Sequence, residues 1–270
     1  MRDLLQGDWG TSIGTKRPVL EEIGGRLPAT IELIVAAMTM AILFGVLLGV
    51  LSARWRGRAP DLLVRVGSIV GVSLPAFWLA LILQVVFFRN LHLLPLAGQV
   101  DSDLRFVNPI LPVTGFVVVD AVLGANWQGL ADALLHLILP AVTLAAYPLG
   151  LVARMTRASM LETLDQDYIR TARAYGLSER FITYRLALKN ALIPVVTIAG
   201  LSLAYALTGA FFVEIIFNWP GLGTFVVHSL LNVDYPAIMG ITLFGAIGYV
   251  VINLLVDLIH AWLDPRVTLA

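Results

Sequence analysis

Five stretches of this chain run for about 20 residues or more with hardly a charge, and that pattern restricts the fold more than any other feature. Such a run, coiled at about 1.5 Å per residue, crosses the roughly 30 Å hydrocarbon core of a bilayer. In lipid every backbone amide must find its partner within the segment or a closed barrel, so long unbroken runs form helices. The stretches lie at about 28–53, 64–88, 134–153, 193–218 and 237–262. Over 270 residues, 59% are hydrophobic and 13% charged, against about a quarter charged in a soluble domain. The expected fold is an all-α integral membrane protein with five transmembrane helices.

Several function classes drop out early. Net charge is zero, so no electrostatic argument favours nucleic acid. The chain has no cysteine, which removes disulfides, thiolate metal sites and thiol nucleophiles. Residues Met1 to Gly10 hold acids, glycine and tryptophan, not the basic and apolar regions of a secretory signal.

Lys and Arg set the orientation. One set of connections carries Arg54, Arg56, Arg58 and Arg65, then Arg154, Arg157, Arg170, Arg173, Arg180, Arg185 and Lys189; the opposite set carries only Arg89 and Arg105. Basic connections face the cytoplasm, which puts the C-terminus inside and residues 1–27 outside. An external leading segment with Arg2, Lys16, Arg17 and Arg26 needs a preceding span to translocate it, so a span ahead of residue 1 is expected.

Within the spans, Pro75, Pro140 and Pro148 each remove a helix hydrogen bond, so their helices should face protein or a pathway. Pro28 suits the first helical position of the first span. Gly45 with Gly49, and Gly67 with Gly71, have the spacing that lets helix backbones approach, most simply inside one subunit.

The longest inside connection, about 156–192, is expected to form two short helices with a sharp bend. Helix formers lead to Gly176, suited to the left-handed position past a helix end; Leu177 supplies the usual apolar contact, and Ser178 can cap a second helix with Glu179 in its first turn. Ala172, Ala174 and Gly176 keep the bend narrow, while Tyr168, Ile169, Tyr175 and Leu177 offer apolar anchors. These anchors suit either a groove on another protein or packing beneath the chain's own spans.

The run Asp167-Tyr-Ile-Arg-Thr-Ala-Arg-Ala-Tyr-Gly-Leu-Ser-Glu-Arg180, continuing through Ala187-Leu-Lys-Asn-Ala-Leu-Ile-Pro194, resembles the coupling loop of binding-protein-dependent ABC importer permeases of the dipeptide and oligopeptide branch. Gly7-Asp-Trp-Gly-Thr-Ser-Ile-Gly14, Phe212-Val-Glu-Ile-Ile-Phe-Asn-Trp-Pro-Gly-Leu-Gly223 and Asn253 through Arg266 are similar to the same branch, so the resemblance covers nearly the whole chain. Arg170-Thr171-Ala172 stands where the general signature has Glu-Ala-Ala, as is usual in the peptide branch, and Leu186 stands where that branch often has His.

The resemblance implies a permease domain over 28–270, a six-helix core whose first span is missing here, with cytoplasmic coupling helices and an external loop at about 89–133. It implies a second permease subunit, two cytoplasmic ATPases that bind ATP and Mg, and an extracellular or periplasmic substrate-binding protein, in a bacterial or archaeal cell membrane. The chain itself would hold no cofactor, metal or catalytic residue. Asp167, Arg170, Ala172, Gly176 and Leu177 would contact the ATPase. Similar permeases carry short peptides, and others nickel chelates or further small solutes.

By its position alone, Glu214 lies about one turn from the outer end of its span and is either a pathway or gate residue or has an interhelical or interfacial structural role. Asp257 is within reach of His260 and Arg266, a structural arrangement. Glu32 is expected at a helix start, where the dipole suits a carboxylate. The 89–133 segment, rich in Pro, Gly, Asp and Trp, should fold as a surface cap able to receive a binding protein. Gly10-Thr-Ser-Ile-Gly14 matches the hydrolase nucleophile pattern without the strand, helix and partners it needs. His92, His136, His228 and His260 lack ligand spacing. An ion-coupled secondary transporter would show internal repeats and midplane charge; no convincing repeat is evident, and the cytoplasmic helix pair has no job in that scheme.

Overall fold

The computed structural model describes residues 9–263, without the side chains of Asp257, Ile259 and residues 260–263. Asp257, His260 and Arg266, and the C-terminal part of the resemblance, therefore fall wholly or partly outside the described residues, as do residues 1–8.

The described residues are helical almost throughout. In chain order they form α1 (Val19–Arg54), α2 (Ala59–Ser73), α3 (Ala76–Asn90, π-helical from Gln84), α4 (Ser102–Val107) and α5 (Val117–Leu123). Then come α6 (Trp127–Leu164), α7 (Asp167–Ala174), α8 (Glu179–Ile216, π-helical over Ile182–Ala187), α9 (Leu222–Leu231) and α10 (Tyr235–Leu263). Four of these are long and apolar enough to cross a membrane, five when α2 and α3 count as one broken span. The break falls at Leu74-Pro75, where Pro75 takes extended backbone and becomes the residue before α3. Pro140 and Pro148 do not break α6, whose apolar window is 61% buried, more than that of α1, α8 or α10. Protein lines that helix, as its prolines require.

The first span begins earlier than expected. α1 starts at Val19, with the Pro18 carbonyl accepting from the Glu22 amide and with Glu21 and Glu22 in the first turn; Pro28 lies inside the helix. Proline's preference for the first position is local, and it is overridden because Val19 and Ile23 are buried against Leu222, Phe225, Ala237 and Ile241. Val19 and Ile23, within the segment 1–27 expected to lie outside, are thus part of a core. Glu32 correspondingly sits well inside α1, not at its start.

The chain divides into two compact units. One comprises Met1–Ala37, Pro75–Leu144 and Ala206–Val250; the other comprises Met38–Leu74, Ala145–Tyr205 and Val251–Ala270. In the second, α1 and α6 pack backbone to backbone: a Cβ on Gly49 would stand 2.7 Å from the Ala153 carbonyl oxygen, and one on Gly45 would stand 2.7 Å from Val152. Gly71 approaches the Ala146 carbonyl in the same way, while Gly67 faces open space. The Gly45/Gly49 pair therefore serves packing within this chain.

Candidate functional site

Between α6 and α8 only residues 165–178 lie outside the two long helices, because α6 continues past residue 156 to Leu164 and α8 starts at Glu179. α7 occupies most of that connection. The Gln166 carbonyl accepts from the Ile169 and Arg170 amides, and Asp167 sits in the first turn, where the helix dipole favours a carboxylate.

The end of α7 is a Schellman bend. Gly176 has φ of +76°; its amide donates to the Arg173 carbonyl at 2.9 Å, and the Leu177 amide donates to the Ala172 carbonyl at 3.2 Å. Ser178 then caps α8, its hydroxyl oxygen accepting from the Phe181 amide. Arg173 reaches across the bend to Glu179 at 2.8 Å; both are exposed, so the pair adds little to stability. The shape comes from the backbone.

Burial separates the two sides of the hairpin. Ile169 is 0% and Ala172 7% exposed, packed with Val50, Ala53, Met160, Ile182, Ala187 and Ala191. Tyr168 accepts a 2.8 Å hydrogen bond from the Asn190 side chain, a further tie to α8. Asp167, Arg170, Gly176 and Leu177 face outward with Tyr175, which is 83% exposed. Ala172, expected among the partner-contacting residues, instead points into this core, because residues 169 and 172 share the helix face turned toward α6 and α8. Phe181 and Tyr184 extend the exposed apolar surface along α8. Their i, i+3 spacing was available in the sequence but carries no sign of which face is outward.

Glu214 occupies the other unit, with 0% exposure. Thr30 donates to its Oε1 at 2.6 Å and the Gly223 amide donates to its Oε2 at 2.5 Å, while the Thr30 hydroxyl oxygen accepts from the Leu222 amide at 2.9 Å. The carboxylate and Thr30 therefore satisfy the first amides of α9, which would otherwise have no partner. Trp219 completes the corner, its indole N–H donating to the Ala29 carbonyl at 2.8 Å. A Cβ on Gly221 would collide with the carboxylate, and one on Gly223 would meet it at 2.9 Å. Of the two roles weighed for Glu214, these contacts describe the interhelical tie.

The segment expected to be external, 89–133, is folded around two carboxylates. Asp120 accepts from the amides of Val113, Thr114 and Gly115 and from the Thr114 hydroxyl; burial pushes this carboxyl up, but those hydrogen bonds outweigh it and hold it below the usual range. Glu32 accepts from the Val118 amide at 2.7 Å and from Gln99 at 3.2 Å, anchoring the segment to α1. No local pattern announces a bond over 86 residues.

Ser12, in the hydrolase-like stretch, is buried and donates to Asp234 at 2.5 Å. No imidazole stands between hydroxyl and carboxylate. Burial raises the Asp234 carboxyl, and Ser12 with the amides of Gly14, Ile13 and Ala237 more than reverses it, so the pair ties the N-terminal segment to the start of α10.

Comparison with known proteins gives one consistent result. Residues 45–269 match the family described as "Binding-protein-dependent transport system inner membrane component". The "Probable D,D-dipeptide transport system permease protein" of Escherichia coli K12 is 50% identical over 265 residues, covering 98% of this chain and 77% of that protein. A dipeptide transport system permease protein of Alkalihalophilus pseudofirmus is 43% identical, covering 99% and 79%. A glutathione transport system permease protein of Salmonella paratyphi A is 39% identical, covering 98% and 76%. The crystal structure of an amino acid ABC transporter shares the fold with a TM-score of 0.59 at 13% identity, covering 89% of this chain and 94% of that one.

Proposed function

Because the chain belongs to the family of binding-protein-dependent transport system inner membrane components, we propose that it lines, with a second permease subunit, the pathway of an ATP-driven importer of short peptides. As a member of that family it is a membrane permease subunit of an ABC transporter, and transport, not catalysis, is its role. Cargo of the short-peptide class is supported by relatives named for dipeptides, D,D-dipeptides and glutathione.

The observation that carries the coupling part of the proposal is the two-sided hairpin. Ile169 and Ala172 root it in the chain's own core, while Asp167, Arg170, Tyr175, Gly176 and Leu177 remain outside for a partner. A cytoplasmic ATPase holding ATP and Mg would grip that outer surface. Closure of two such ATPases would move the rooted helices as rigid bodies and open the pathway to one side at a time. The Lys and Arg excess of the connections supports a cytoplasmic hairpin and an external Asp120 segment, where a binding protein would deliver cargo.

Gly176→Val in the assembled complex, reconstituted into vesicles, tests the coupling. Nothing lies within 4 Å of an added Cβ, so the substitution acts through the left-handed backbone alone. That conformation costs an L-residue roughly 1–2 kcal/mol, enough to lower the population of the docked shape about tenfold. The variant subunit is expected to insert normally while peptide uptake per ATP hydrolysed drops by a similar factor. Uptake and coupling at the unaltered level would refute the assignment.

A further inference from the structure

Beside the second unit's helix crossing lies a cavity of about 290 Å³, lined by Val64, Arg65, Ser68 and Ile69 of α2 and by Ala153, Arg154, Arg157 and Ala158 of α6. Three arginines therefore line one small space. Arg157 is held in place: its Nε donates to Asp61 at 2.6 Å and its Nη2 at 3.0 Å, and Asp61 is fixed in turn by the Ser52 hydroxyl at 2.6 Å and the Gly57 amide at 2.9 Å. Asp61 neutralises one charge. Arg65 and Arg154 form no ion pair among the described residues, so their two positive charges stand uncompensated beside a cavity otherwise lined by Ser68 and apolar side chains.

We propose that this cavity binds the phosphodiester of an anionic phospholipid of the surrounding bilayer. Two observations favour a lipid over a soluble anion. Arg65 lies at the beginning of one apolar stretch and Arg154 and Arg157 just past the end of another, which is the level of the headgroups. From the cavity an exposed apolar row, Val66, Ile69 and Val70, continues along α2 into the apolar stretch at helical spacing, a surface that acyl chains cover and that a soluble phosphate cannot use. Basic pockets between membrane helices bind such headgroups through the same pairing of guanidinium with phosphate. The Asp61 clamp presets Arg157, and Arg65 and Arg154 supply the net charge.

The test uses the complex as it co-purifies in detergent, with bound lipid counted by native mass spectrometry after stepwise delipidation. Dioleoyl phosphatidylglycerol, dioleoyl phosphatidylcholine or inorganic phosphate is then added back and the thermal midpoint followed. The unaltered complex should retain phosphatidylglycerol and gain stability from it alone. Arg65→Gln with Arg154→Gln should lose roughly tenfold or more in retention, and Arg65→Lys with Arg154→Lys should keep most of it. Arg54→Gln with Arg56→Gln, outside the cavity, should behave as the unaltered protein. Equal retention by the Gln pair, equal stabilisation by phosphatidylcholine, or reproduction of the effect by inorganic phosphate would each overturn the proposal, the last by assigning the cavity to a soluble anion.

Discussion

Glu214 shows how much of this fold depends on single side chains. Replacing it by Leu leaves the Gly223 amide and the Thr30 hydroxyl buried without their acceptor, and each such loss costs about 1–3 kcal/mol. Glu214→Leu should therefore lower the thermal midpoint of the purified complex clearly; an unchanged midpoint would mean that other acceptors serve α9. Asp120 gives a pH-dependent counterpart. Its carboxyl titrates lower in the folded segment than in the unfolded chain, so its contribution is complete above the unfolded value of about 4 and disappears as pH falls through the lower folded value. Cleavage of the 101–126 region by an acid-active protease should accelerate over that acidic range and change far less with pH in Asp120→Asn. A flat profile in the unaltered protein would contradict this role. Glu214's partner was not legible in the sequence, because Thr30 lies 184 residues away and residue type records no distance of that kind; Asp120's partners, Val113, Thr114 and Gly115, are its near neighbours in the chain.

Among the elements, the hairpin was the most legible, since its rules are local. Gly176 beyond a helix end and Ser178 before the next one are backbone requirements that neighbouring residues state by themselves. Which of Ile169, Ala172 and Tyr175 turned inward was not legible, because an apolar stripe names a buried face without naming what buries it. Pro28 failed for the converse reason: a local preference yielded to burial of Val19 and Ile23. The clamp joining α2 to α6 belongs to this scale as well. Arg157→Met strands a buried Asp61 and should destabilise the complex by about 3–5 kcal/mol, while Asp61→Asn with Arg157→Met should recover a substantial part. A double variant no more stable than Arg157→Met alone would show that the Asp61–Arg157 pairing is not what holds these helices.

For the whole molecule, the apolar runs announced the fold class, and the absence of cysteine makes the proposed orientation easy to examine. Phe106 and Tyr175 are 88% and 83% exposed. A membrane-impermeant maleimide added to intact cells should label Phe106→Cys and spare Tyr175→Cys until the membrane is opened; the reverse order would invert the topology. Assembly also has a timetable. Thr30 and Glu214 meet across 184 residues, and Ser12 and Asp234 across 222. At roughly 5–20 residues per second the ribosome needs about 10–40 s to supply Glu214 after Thr30 has emerged. During that interval the first helix waits in the membrane for its acceptor, and a nascent chain interrupted there is exposed to surveillance proteases.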